Sequence, residues 1–306
     1  MFMILTEKNY WRQLFIFLLI VLAGFFVSQF VALVSILPFF SFNYEEVTNF
    51  LENMSQFPEH RLTALWMQGV NSLFLFVGSP LFFWWMYEKE ELHTIFTSKI
   101  SAYTFFSTFV IILIYMPLSG FLVQFNKQIT FPEALKGLEQ SFLDMEKKIE
   151  VLTTFMIHFD HWWQFLFGIL VIAIIPAVGE ELLFRAGLQK KLQNIIGNYH
   201  VAIWVSAFIF SAFHMQFYGL IPRMCLGALF GYIYVWSGNI WAAVFAHFLN
   251  NAITLIIIHL FQGQLSKNGL DNPENFPLLP AILSLVLVLL ALQHFYHYHR
   301  VRLVRK

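Results

Sequence analysis

The sequence predicts an all-α fold, a polytopic membrane helix bundle of about eight transmembrane helices with one amphipathic surface helix. Three observations predict it. Of 306 residues, 58% are hydrophobic and 12% charged, where soluble domains have about 45–50% apolar and about 25% charged residues. Several separate apolar stretches approach the roughly 20 residues that a helix needs to cross a bilayer. Phe occurs 38 times, Trp 9 times and Tyr 11 times, a supply of rings for lipid-facing surfaces and membrane interfaces.

The stretches are residues 13–37, 65–87, 103–125, 162–184, 201–213, 220–236, 240–261 and 278–295. The first is longer than the roughly 7–15-residue core of a signal peptide, so it is expected to stay as a first span. The fifth is the shortest. Between the third and fourth, residues 132–153 repeat apolar side chains at steps of three and four: Leu135, Leu138, Phe142, Met145, Ile149 and Leu152. That period marks an amphipathic helix, with Pro132 suited to its start. It is expected to lie on the outer surface, with a substrate-gating lid as the alternative. Three units follow: residues 1–160 with the first spans and the surface helix, 161–262 with the polar-bearing helices, and 263–306 with the last span and a basic tail.

The formal net charge is zero, which gives nucleic-acid binding no electrostatic support. Eight spans put both termini on one side. Eleven Lys and Arg then fall on the side of the termini and six on the other, with Arg223 inside a span. The positive-inside rule places both termini in the cytoplasm. The single cysteine, Cys225, excludes an intrachain disulfide, and no C-x-x-C zinc pattern occurs. The bilayer is the one partner that composition implies; nothing bears on oligomeric state.

Ionisable side chains inside spans are expensive and usually functional. Three groups stand out. Glu180-Glu181-Leu182-Leu183-Phe184-Arg185 ends the fourth span. Glu181 and Arg185, four apart, share a helical face in the favoured order. Glu180 points about 100° away. A carboxylate in a dry place is pushed toward its neutral form, which suits a general base. Pro176, four residues earlier, removes a helical hydrogen bond. The second group is Phe210 and His214, and the third His247 and Asn251, each four apart. Blander readings exist for each: a membrane boundary for the glutamates, interhelical hydrogen bonds for the others. The histidines near Trp162 and those before the basic tail read as interfacial residues.

Register favours convergence. Gly197-Asn198 is the natural breaker between the fourth and fifth spans. Glu180 lies 17 residues before Gly197 and His214 lies 17 after it. In an antiparallel hairpin both arms run about 25 Å, so the two side chains sit at similar depth. His247 lies well inside its own span, beyond the Gly238-Asn239 turn.

In order and spacing, Glu180-Glu181 with Arg185, then Phe210 with His214, then His247 with Asn251 resemble the CPBP family, the CAAX prenyl proteases and bacteriocin-processing enzymes. The resemblance covers residues 162–261. It implies an intramembrane endopeptidase in which Glu180 activates water and His214 assists. His247 and Asn251 would donate to the oxyanion, while Glu181 and Arg185 hold the site together, Glu181 being also a candidate to bind substrate or water. The implied partner is a peptide or protein substrate in the membrane, including one lipidated near its C-terminus. No cofactor is required by this reading; zinc held by Glu180, His214 and His247 is the metal-dependent alternative. A non-catalytic scaffold or immunity protein, and a transporter using the same polar cavity, are the competing functions.

Overall fold

The computed structural model describes residues 9–97, 99–261 and 278–304. Lys8, Lys267, Arg305 and Lys306 of the charge balance lie outside the described residues, as does most of the connection that opens the unit 263–306. Among the described residues the chain is helical and has no strand. Its main helices are α1 (Tyr10–Phe40), α2 (Pro58–Tyr87), α3 (Ala102–Lys127), α4 (Lys136–Met156), α5 (Trp162–Ile196), α6 (Tyr199–Ala212), α7 (Phe217–Ser237), α8 (Ile240–Leu260) and α9 (Leu278–Val304). Short helices Tyr44–Glu52 and Lys89–Thr97 cap the bundle.

Seven of these helices are long and apolar enough to cross a membrane. The expected fifth span is corrected. As α6 it has 14 residues, a length of about 21 Å against a hydrocarbon core of about 30 Å. The physical cause is the polar turn that follows it. His214 leaves the helix, and Met215 adopts a left-handed conformation, φ 55°, which reverses the chain into α7.

Burial sorts the helices into layers. In their most apolar windows, 50% of α8 and 44% of α5 and α7 are buried, against 17–22% of α1, α3 and α9. Two of these inner helices, α5 and α8, carry polar motifs. One buried cluster joins Phe17 of α1, Phe83 and Trp84 of α2, and Leu182 and Phe184 of α5. A second joins Ile111, Ile112 and Tyr115 of α3, Phe230 and Ile233 of α7, and Phe295 of α9. Within lipid such contacts act through packing rather than through removal from water. Pro117 interrupts α3, and a neighbouring helix repairs the ladder: Ser284 of α9 donates to Ile114 O and accepts from Leu118 N. Borrowed hydroxyls of this kind let proline persist in spanning helices.

The two helix ends beside the site use one device. Gly197 ends α5 with φ 73° and Gly238 ends α7 with φ 62°. The next residues, Asn198 and Asn239, cap α6 and α8 through their side-chain oxygens. Only glycine adopts the left-handed conformation without penalty. An added Cβ at Gly197 meets nothing within 4 Å, so conformation alone sets the effect. Gly197→Ala is expected to destabilise the protein by about 1–2 kcal/mol, read as a lower melting temperature in detergent.

Candidate active site

The site begins with irregularities in α5. Residues Ile169–Ile174 and Leu182–Gln189 are π-helical and flank the regular turn Ile175–Glu181. Such insertions are rare and concentrate at functional positions. Pro176 lies within the regular turn and has no N–H to offer the carbonyl of Ile172, four residues earlier. Asn251 of α8 fills that role: its Nδ2 donates to Ile172 O at 3.3 Å. The proline thus does more than loosen the helix, because the carbonyl it frees fixes Asn251. Asn251→Ala is expected to destabilise the protein by about 1 kcal/mol, since the part-buried carbonyl loses its partner. Adding Pro176→Ala restores an N–H opposite Ile172 O and is expected to recover part of that loss, measured as a double-mutant cycle of thermal stability.

Behind the cavity stands a buried ionic cluster. Arg185 Nη1 lies 2.9 Å from Glu181 Oε1, and the two side chains are 1% and 0% exposed. Arg185 Nη2 donates to Gly227 O at 3.0 Å, and the guanidinium lies over the Phe210 ring at 4.5 Å. The same Glu181 oxygen accepts from His247 Nδ1 at 2.8 Å. His247 also stacks on Phe230, with centroids 5.0 Å apart. These contacts fix the ring and turn Nε2 toward Glu180, whose Oε2 is 3.8 Å away. That separation exceeds a direct hydrogen bond and suits a bridging solvent molecule.

His214 is oriented by its own backbone. Its Nδ1 donates to Phe210 O at 2.9 Å, because a carbonyl can only accept, and this leaves Nε2 as the free ring nitrogen. Glu180, His214, His247 and Asn251 all line one cavity of about 540 Å³ between α5, α7, α8 and α4. Glu181 and Arg185 do not line it. The Arg185 pair and the His247 bond draw one oxygen of the Glu181 carboxylate behind the wall.

Other lining residues were not legible as part of the site. Asn250, one residue before Asn251 and off the helical face of His247, lines the cavity too and donates to Asn251 Oδ1 at 3.2 Å. Gln68 comes from α2, and Gln216 and Arg223 from the turn into α7 and its first residues. An arginine inside a predicted span was the available signal for Arg223. The helix α4 is largely exposed, as a surface helix should be. It also lends Ile149, Leu152, Thr153 and Met156 to the cavity wall, a position that fits the lid alternative. Among the described residues no three His, Cys, Asp or Glu side chains are grouped to hold a metal ion. Glu180, His214 and His247 share the cavity without forming such a group.

A glutamate, two histidines and an asparagine thus line one cavity of a helical bundle with seven membrane-capable helices among the described residues. Residues 162–253 match the family model described as type II CAAX prenyl endopeptidase Rce1-like. Over that segment the chain is similar to the CPBP family of CAAX-type intramembrane proteases. It is similar to a curated protein of Bacillus subtilis (strain 168), the uncharacterized protein YpbD, with 29% identity over 89 residues. The matched stretch covers 28% of this chain and 42% of that relative, so the chain spans less than half of its length. No solved structure matches the chain.

Proposed function

We propose that this chain is an active intramembrane endopeptidase that hydrolyses peptide bonds with a water molecule activated by Glu180. The observation that carries the reading is the meeting of Glu180, His214, His247 and Asn251 in one cavity, with the Glu181–Arg185 pair neutralised behind it. In this reading Glu180 takes a proton from water while the water oxygen attacks the scissile carbonyl. The free Nε2 of His214 shares that proton and helps deliver it to the leaving amine as the C–N bond breaks. The oxyanion faces His247 Nε2 and the second N–H of Asn251, the first being held by Ile172 O. Preorganised donors of this kind supply much of the stabilisation in acyl transfer. For Nε2 of His247 to donate, the ring must carry a proton on each nitrogen, the one on Nδ1 being held by Glu181. Every step is assigned to side chains of the chain itself.

Substrates in this reading are peptides or proteins presented at the membrane, with or without a lipidated C-terminus. The test is cleavage by the purified protein in detergent, using a mixed peptide library with and without prenylated C-terminal peptides. Wild type is compared with Glu180→Gln, each with and without a strong chelator. Cleavage lost in the variant and insensitive to chelator is the expected result. Chelator-sensitive cleavage would overturn the metal-free mechanism, and absence of cleavage in every arm would favour a binding role.

A further inference from the structure

Cations inside this protein are generally matched by carboxylates. Arg185 pairs with Glu181 at 2.9 Å, Lys191 with Glu88 at 2.8 Å and Arg61 with Asp160 at 2.9 Å. Arg223 is different. It lies near the start of α7 and lines the same cavity as Glu180 and His214. Its Nη2 donates to a neutral group, Gln216 Oε1, at 2.7 Å. Its Nη1 is buried and has no hydrogen-bond acceptor. A buried charged donor left without an acceptor is destabilising, and an arginine at membrane depth calls for a named partner.

The surroundings hold the guanidinium in place, and among the described residues no carboxylate forms an ion pair with it at contact distance. A Cβ on Gly219 would sit 2.0 Å from Nη2 and 2.6 Å from Cζ, so only glycine leaves room for the group there. The carboxylates whose fields act on it are Glu146 and Glu180. Glu146 Oε2 accepts from the backbone N–H of Tyr218 at 3.3 Å, and Glu180 faces His247. A guanidinium is a planar fork shaped for a carboxylate. One cation with two acids nearby suits a singly charged anion better than a doubly charged phosphate.

We propose that Arg223 forms a carboxylate-binding subsite of the cavity and anchors an acidic group of the substrate peptide. The inference rests on the protease reading for its occupant. It makes this chain selective for acidic peptides, the carboxylate coming from a side chain or from the chain end. Gln216 and Gly219 position the fork, one by its hydrogen bond and the other by its missing side chain.

Peptide binding tests the subsite independently of turnover. Fluorescent peptides are titrated against the Glu180→Gln protein in detergent, in matched pairs: free C-terminus against C-terminal amide, and Glu against Gln at each internal position. At least one acidic peptide is expected to bind roughly 10- to 100-fold more tightly than its neutral twin, the range for a hydrogen bond to a charged group. The pair that shows the difference identifies the source of the carboxylate. Adding Arg223→Gln should bring the ratio to about one, and Arg223→Lys should keep part of it. A purely structural arginine would change stability but leave the ratio intact. Equal binding of every pair, absence of binding, or a ratio unchanged in Arg223→Gln overturns the subsite. Should Arg223→Gln fail to fold, Gly219→Ala displaces the guanidinium while keeping its charge, and an unchanged ratio there is equally decisive. Cleavage by wild type is scored separately. Arg223-dependent charge selection without cleavage leaves the subsite standing and rejects the protease reading; cleavage without charge selection does the reverse.

Discussion

Glu180→Gln is expected to lower turnover by about 10²–10⁴-fold, the usual contribution of a positioned general base, while leaving the fold intact. The substitution keeps the shape of the side chain and removes its ability to accept a proton. Its effect on stability should be small. Glu180 is 9% exposed at the cavity wall, and its ionic neighbour, His247 Nε2, is 3.8 Å away rather than in direct contact. The measurement is initial cleavage rate beside a melting curve of the same preparation. Near-wild-type turnover would remove Glu180 from the mechanism. A joint loss of turnover and melting temperature would make it a structural residue instead.

Arg185→Ala carries the second large effect, and here stability should fall with activity. The substitution removes the ion pair to Glu181, the bond to Gly227 O and the stacking over Phe210. It leaves the Glu181 carboxylate buried with only His247 to offset it. Breaking a buried pair by removing one partner costs about 3–5 kcal/mol. His247 would also lose the fixed carboxylate that orients its ring. Arg185→Lys should rescue only part of the loss, because a single ammonium cannot serve Glu181 and the Gly227 carbonyl with the planar geometry of a guanidinium. Thermal unfolding in detergent checks both variants, and an unchanged melting temperature for Arg185→Ala would show that the pair contributes nothing to the fold.

Much of the architecture was legible because lipid makes strong demands on sequence. A helix must supply its own backbone hydrogen bonds across the bilayer, so long apolar runs mark seven of the spans directly. Local rules also sufficed for the Glu181–Arg185 pair, which depends on one helical turn, and for the breakers Gly197-Asn198 and Gly238-Asn239. Equal spacing about Gly197 anticipated that Glu180 and His214 would reach one cavity. The length of α6 was misjudged because hydropathy cannot reveal that the chain turns at Met215 before completing a crossing.

What the sequence by itself determined is therefore a helical membrane protein with its polar motifs gathered in the fourth, fifth and seventh apolar stretches, since burying such groups among apolar runs is costly and periodicity reports the facing residues. The tertiary structure alone decided which groups meet the cavity. It placed Glu181 behind the wall, engaged by Arg185 and His247, and joined Asn251 to the carbonyl that Pro176 leaves free. It also brought Asn250, Gln216, Arg223 and one face of α4 to the same space. Those contacts run between helices far apart in the chain, and no local period encodes the packing that selects them.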